Sequence, residues 1–141
     1  MGKIILASSS PRRADILRQH NIEFQTLPSP YQEDHSVTAF SYAFVESLAL
    51  NKARGVLPLV EAPCVILGAD TVVVLDGKIL GKPADYDDAF NMLKSLSGRK
   101  HIVVTGIALI NSETRNETVR SVTSTVEFEK LTGEQIEFYL K

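Results

Sequence analysis

Val65–Leu80 reads VILGADTVVVLDGKIL. Two apolar runs, Val65–Leu67 and Thr71–Leu75, lie on either side of Gly68-Ala69-Asp70. Short β-branched runs bounded by turn residues read as buried strands. Asp76-Gly77 tolerates the positive φ angles of a tight hairpin, so Lys78–Leu80 is expected to return alongside Thr71–Leu75. The segment therefore predicts a core strand with a charged residue, Asp70, set between its apolar halves.

Upstream, Ile4–Ala7 is a further apolar run, followed by Ser8-Ser9-Ser10. Pro11 then occupies the first helical position, where a missing N–H costs least. Ala14, Ile16 and Leu17 cover one side of that helix, which suits packing on a sheet. Ile22–Leu27 reads as a second strand, broken by Pro28-Ser29-Pro30. A helix is predicted from about Thr38 to Val56. Phe40, Phe44, Val45, Leu48 and Val56 share one arc of it, and Lys52 falls inside the arc.

Downstream, Asp85 caps a helix whose stripe is Tyr86, Ala89, Phe90, Leu93 and Leu96, stopped by Gly98. Ile102–Ile110 is nearly all apolar and reads as a central strand, with Val122–Phe128 pairing across a polar turn. Thr132 and Gln135 form a capping-box pattern, with Leu131 and Ile136 at staple spacing. A helix starts there and the sequence reaches Lys141 about two turns later.

With 141 residues, one compact domain is expected. Hydrophobic residues make up 44% and charged residues 23%, with a net charge of −2. No basic stretch reads as a nucleic-acid arm, so any anion site must be a local cluster of cations. No apolar run reaches membrane-spanning length. MGKIILASSSPRR has too short an apolar part for a signal peptide, and most of its charge follows that part. The single cysteine, Cys64, excludes an intrachain disulfide and fits a reducing, cytoplasmic setting. Neither nucleic acid nor membrane is expected as a partner.

Ser8-Ser9-Ser10-Pro11-Arg12-Arg13 leads a strand into a helix with two arginines in its first turn. Cations at a helix N-terminus cost about 0.3–1 kcal/mol each. A bound anion reverses that sign, because backbone N–H groups, serine hydroxyls and guanidinium forks meet it together. An exposed basic turn fits the spacing equally well. Asp70 would be costly to bury unpaired. It is expected at a strand end facing a cleft, as a metal ligand or a base; the competing reading is an aspartate that shapes the turn.

Pro83 biases Lys82 toward extended backbone, so its amine projects from a fixed position, although a solvated loop lysine also accounts for it. Gly77–Lys82 is not a phosphate-binding loop: the glycines are one residue too close, and Pro83 replaces the required Ser or Thr. Lys52, taken alone, reads as a lysine laying its stem on the core. Glu33, in Gln32-Glu33-Asp34, could join Asp70 around a hard cation, whereas loop acids are usually solvated. His101 reads as a strand-edge histidine without a ligand role. Cys64 lacks partners at zinc spacing, and no serine sits in a nucleophile elbow.

Together these residues resemble the Maf family of nucleotide pyrophosphatases, also called septum-formation inhibitor proteins. The matching stretches are LASSSPRRADIL (Leu6–Leu17), NKA (Asn51–Ala53), ILGADTVVVLDGKILGKP (Ile66–Pro83) and LSGRKHIVVTGIALI (Leu96–Ile110). The resemblance implies an α/β fold like that of the inosine-triphosphate pyrophosphatases, a mixed sheet with flanking helices and a cleft between two lobes. It implies a homodimer and hydrolysis between the α and β phosphates of a nucleotide. ADTVV at Ala69–Val73 resembles the branch acting on dTTP and UTP, whereas the branch acting on methylated GTP usually reads SDQ there. By this resemblance Asp70 is the catalytic acidic residue, and Arg12 and Thr71 are specificity positions. Ser8, Arg13, Glu33, Lys52 and Lys82 match the remaining pocket residues. Family sequences continue past the helix begun at Thr132 into a glycine-rich motif with a pocket glutamine. Residues 1–141 are thus expected to be a single Maf-like domain lacking that segment.

The expected chemistry is metal-assisted hydrolysis. Mg²⁺ or Mn²⁺ held by Asp70 and Glu33 would bridge phosphate oxygens. Arg12, Arg13, Lys52 and Lys82 would neutralise the triphosphate and the leaving pyrophosphate. An ordinary aspartate, with a pKa of about 3.9, is a poor base at neutral pH. Asp70 therefore either has a raised pKa or acts through a metal-bound water. The rival readings are a non-catalytic nucleotide-binding regulator of cell division and a structural interaction module.

Overall fold

The first apolar run forms β1 (Lys3–Leu6), and Pro11 opens α1 (Pro11–Gln19). The computed structural model describes residues 3–33, 36–61 and 63–141. The elements that follow are β2 (Gln25–Thr26), α2 (Tyr42–Val56), a 3-10 turn at Leu57–Leu59 and β3 (Cys64–Leu75). Next come β4 (Lys78–Leu80), α3 (Tyr86–Leu96), β5 (Lys100–Asn111), β6 (Glu117–Glu127) and α4 (Gly133–Tyr139).

Among the described residues the strands form one six-stranded sheet in the order β2-β1-β3-β5-β6, with β4 paired to β3. β1 runs parallel to β3, with Lys3 opposite Cys64 and Leu6 opposite Leu67, and parallel to β2. β4 runs antiparallel to β3, with Val73 opposite Leu80. The sheet is therefore mixed. The chain divides into two compact units. The described residues of the first fall within 1–33, 41–71 and 105–122, and those of the second within 34–40, 72–104 and 123–141.

In the first unit, α2 presents Ala49, Ala53 and Val56 to Ile5, Ala7, Cys64, Ile66, Ala108 and Ile110. Small residues let the helix come close to the sheet. A Cβ on Gly68 of β3 would stand 2.2 Å from the Ala49 carbonyl oxygen, and one on Gly106 of β5 2.6 Å from that of Val45. Both lie far inside van der Waals contact, so only glycine fits beneath this helix. The close approach sets how far a side chain of α2 must reach to meet β3.

In the second unit, Asp76 (φ 53°) and Gly77 (φ 78°) turn β3 into β4 as expected. The Asp85 carboxylate accepts from the Asp88 N–H to start α3, and Gly98 leaves the helix at φ 66°. His101 is buried and meets Phe128 edge-on at 5.0 Å. Both hydrogen bonds of the Thr132–Gln135 capping box are present at α4. No helix among the described residues is long and apolar enough to cross a membrane.

Four expectations shift. Gly68-Ala69-Asp70 does not interrupt the strand: β3 runs through it, because Gly68 answers the helix above rather than a turn. The helix expected from Thr38 begins at Tyr42, capped by Ser41. Residues 38–40 pair instead with the hairpin: the Ile79 N–H donates to the Thr38 carbonyl, and the Phe40 N–H to that of Gly77. The strand expected over Ile22–Leu27 shrinks to Gln25–Thr26, since the Ile22 N–H still bonds the Leu17 carbonyl at the end of α1. β6 begins earlier than Val122, because Asn111 Oδ1 accepts the N–H groups of Glu113 and Thr114 and closes a short turn.

Candidate active site

Asp70 lies within β3 and is buried, not at a strand end. Lys52 projects from α2, and its Nζ donates to Asp70 Oδ1 at 2.7 Å. The same ammonium reaches Glu33 Oε1, also at 2.7 Å. Lys52 is thus not a lysine sending its charge to water: its stem crosses the apolar face and its head binds two carboxylates. Asp34, beside Glu33, lies outside the described residues.

Lys52 is one cation facing two carboxylates, and Arg13 adds a second positive charge that acts on Asp70. Burial pushes the Asp70 carboxyl above the usual carboxylate range; the hydrogen bond and charge of Lys52 pull it back, and the neighbouring Glu33 pushes it up again. Burial alone would lower Lys52, but its bonds to Asp70 and Glu33 outweigh that and raise it. A pair with both values raised looks contradictory, since Lys52 favours an ionised Asp70. The direction is set by burial, because a single ammonium is shared between two acids.

Beside this cluster, β1 delivers the chain into the serine loop. The Ala7 N–H donates to the Leu67 carbonyl at 2.8 Å, extending the parallel pairing to the loop's first residue. Ser8 Oγ then accepts the Ser10 N–H at 3.0 Å. Ser10 is the N-cap of α1 but makes no side-chain cap bond, and no acid stands in the helix's first turn. Arg13 Nη2 donates to Thr71 Oγ1 at 3.3 Å, and Thr71 Oγ1 lies 3.0 Å from Thr105 Oγ1. A cavity of about 190 Å³ is lined by Ala7, the three serines, Arg13, Ser29, Tyr31 and Lys52. Hydroxyls, a guanidinium and an ammonium around one hollow form an anion receptor.

The structure therefore brings Ser8, Arg13, Glu33, Lys52, Asp70 and Thr71 together. Arg12 is exposed and does not line the cavity. Lys82 belongs to the second unit, where it is exposed in the segment between β4 and α3. Ser29, Tyr31 and Thr105 were missed by sequence reasoning. Thr105 carried a signal: it is the single hydroxyl residue within Ile102–Ile110. Ser29 and Tyr31 carried none, since their place depends on where the chain after β2 lands.

Residues 3–141 match the family described as Maf-like protein. This chain belongs to the Maf family. Among its relatives, the dTTP/UTP pyrophosphatase of Ruminiclostridium cellulolyticum is 46% identical over 142 residues, covering 100% of this Maf chain and 73% of the relative. That of Symbiobacterium thermophilum is 48% identical over 143 residues, covering 100% and 71%. The Maf fold is also similar to solved structures. A HAM1 protein from Coxiella burnetii superposes with a TM-score of 0.58 at 17% identity, over 90% of this chain and 73% of its own. A nucleoside-triphosphatase / dITP/XTP pyrophosphatase from Mycobacterium abscessus gives 0.56 at 20% identity, over 89% and 73%. At these identities the likeness shows the fold alone: the mixed sheet with flanking helices expected from the sequence.

Among the described residues no three His, Cys, Asp or Glu side chains group as a ready metal cage. The donors present, Asp70 and Glu33, are hard carboxylate oxygens of the kind that Mg²⁺ or Mn²⁺ takes. Their carboxylate oxygens already converge on one cationic atom, Lys52 Nζ. Mg²⁺ is usually bound by one or two carboxylates and completed by water and substrate phosphates.

Proposed function

We propose that this chain hydrolyses nucleoside triphosphates, dTTP and UTP above all, to the monophosphate and pyrophosphate. The observation that carries the reading is the Lys52 ammonium joined to Asp70 and Glu33 beside a cavity of serine hydroxyls and Arg13. The names of its relatives and the Ala69–Val73 stretch support the choice of nucleotides.

In this reading Ser8 and the first turn of α1 receive the phosphates, and Arg13 adds a guanidinium to them. Asp70 takes the proton of the attacking water. Its Oδ1 is engaged by Lys52, and its Oδ2 has no hydrogen-bond partner among the described residues. Water oxygen bonds to the α-phosphorus, the bond to the bridging oxygen breaks, and pyrophosphate leaves with the electron pair. Burial of Asp70 raises its proton affinity toward what a base near neutral pH needs. Lys52 and Arg13 stabilise the charge that grows on the phosphate oxygens. Asp70 and Glu33 would hold a divalent cation, whose chemistry when bound is charge neutralisation across the phosphates. Thr71 and Arg12 are read as specificity positions, from the family resemblance.

A cytoplasmic setting and a homodimer complete the reading. The first is supported by the lone, unpaired Cys64 and the second by the resemblance. Pyrophosphate release from dTTP, UTP and GTP with Mg²⁺ tests the function, with nucleotide binding measured in parallel by calorimetry. Release from dTTP and UTP is expected. Binding without release would make the chain a nucleotide-binding regulator instead.

A further inference from the structure

The Pro28-Ser29-Pro30 turn does more than end a strand. Ser29 Oγ donates to the Lys52 carbonyl at 2.7 Å and accepts the Tyr31 N–H at 3.3 Å. Two residues on, the Tyr31 hydroxyl receives the Asn51 amide at 3.5 Å. Two further on, Glu33 meets Lys52 Nζ at 2.7 Å. Ser29, Tyr31 and Glu33 thus all land on Asn51 and Lys52. Pro30 disfavours helical backbone at Ser29.

Gly55 lies under the same segment. A Cβ there would stand 2.7 Å from Ser29 Oγ, 3.4 Å from Pro30 Cδ and 3.5 Å from the Tyr31 nitrogen. The first distance is a clash and the other two are ordinary contacts. Any side chain at residue 55 would therefore push the Ser29 hydroxyl off the Lys52 carbonyl. The Ser29 hydroxyl has one proton, already committed to that carbonyl, so none is left to donate to a phosphate.

We propose that Ser29, seated over Gly55, is a positioning residue that straps residues 29–33 to α2 and thereby holds the Glu33 carboxylate against Lys52 beside Asp70. The inference rests on the hydrolytic reading of this site and extends it to a residue that acts only through Glu33. It also accounts for a loop acid, ordinarily solvated, being held at a half-buried lysine.

The test uses Ser29→Ala, Gly55→Ala, Glu33→Gln and the double variants Ser29→Ala/Gly55→Ala and Ser29→Ala/Glu33→Gln. Two readouts are taken: hydrogen exchange of the Tyr31 amide, and kcat/KM for dTTP with Mg²⁺. Ser29→Ala and Gly55→Ala are each expected to speed Tyr31 exchange and to lower kcat/KM roughly 10- to 100-fold, as loss of an orienting partner does. Ser29→Ala/Gly55→Ala should be no worse than Ser29→Ala, because the clashing oxygen is gone. Glu33→Gln should cost little once Ser29 is alanine, since contacting residues in one network are not additive. Unchanged exchange and rate in Ser29→Ala, or losses that multiply in Ser29→Ala/Glu33→Gln, would overturn the proposal. A wild-type chain that releases no pyrophosphate would sink the hydrolytic reading instead, leaving Tyr31 exchange to decide the strap.

Discussion

Lys52 Nζ stands 2.7 Å from Asp70 Oδ1, linking the C-terminal part of α2 to the middle of β3. The helix that carries Lys52 rests directly on glycine in the strand beneath it. Packing and chemistry are therefore coupled in this protein: whatever lifts α2 from the sheet also pulls the ammonium from the carboxylate.

Asp70→Asn keeps the shape and the hydrogen-bonding reach of the side chain but removes the base. Loss of a general base typically costs about 10²–10⁴-fold, and kcat for dTTP is expected to fall within that range. The circular dichroism spectrum should be unchanged. A variant with wild-type kcat would remove Asp70 from the mechanism.

The pH dependence follows from the direction of the Asp70 shift. Burial raises the folded-state pKa above its ordinary value of 3.8, so folding favours the protonated form. Asp70 thus contributes stability in full below 3.8, and this is lost as pH rises through the folded value. Urea denaturation of Asp70→Asn should then show the variant gaining on the wild type as pH rises above 3.8. The acid limb of wild-type kcat/KM should lie above 3.8.

Gly68→Ala places a methyl group 2.2 Å from the Ala49 carbonyl oxygen. Overpacking of this kind costs about 1–3 kcal/mol or more. Both the urea midpoint and kcat/KM are expected to drop, because the helix that carries Lys52 must move. Full activity with unchanged stability would separate the helix seat from the site.

Arg13→Ala removes a guanidinium from the cavity and from Thr71. Hydrogen bonds to charged groups contribute about 1.5–3 kcal/mol, so KM for dTTP should rise roughly 10- to 100-fold, with little change in melting temperature. Thr71→Val, which loses the same bond while keeping Arg13, should have the smaller effect.

Removal of divalent cations with EDTA is expected to reduce pyrophosphate release to background, and added Mg²⁺ or Mn²⁺ to restore it. The circular dichroism spectrum should not change, because the core of the first unit is built from side chains such as Ile5, Ile66 and Ile110 without a metal. Release that persists in EDTA would remove the cation from the reading.

Much of this was legible in the chain itself. Signals that act over a few residues behaved as written: Pro11 opening α1, Asp76-Gly77 turning the hairpin, Asp85 and Thr132 capping their helices. Each is decided by backbone sterics or by a hydrogen bond to a near neighbour, so the residues carrying the information are adjacent. The family resemblance likewise named Ser8, Arg12, Arg13, Glu33, Lys52, Asp70, Thr71 and Lys82 before any of them had a position. Tertiary structure alone decided what those side chains do to one another. The role of Gly68 was not legible, because nothing nearby in the sequence announces the helix resting on it. Lys52 looked like a snorkelling lysine because its two acids arrive from a loop and a strand distant in the chain. Ser29 looked like turn filler for the same reason. Burial, shared charge and close approach depend on which segments meet, and segments far apart in sequence meet only once the sheet and α2 have packed.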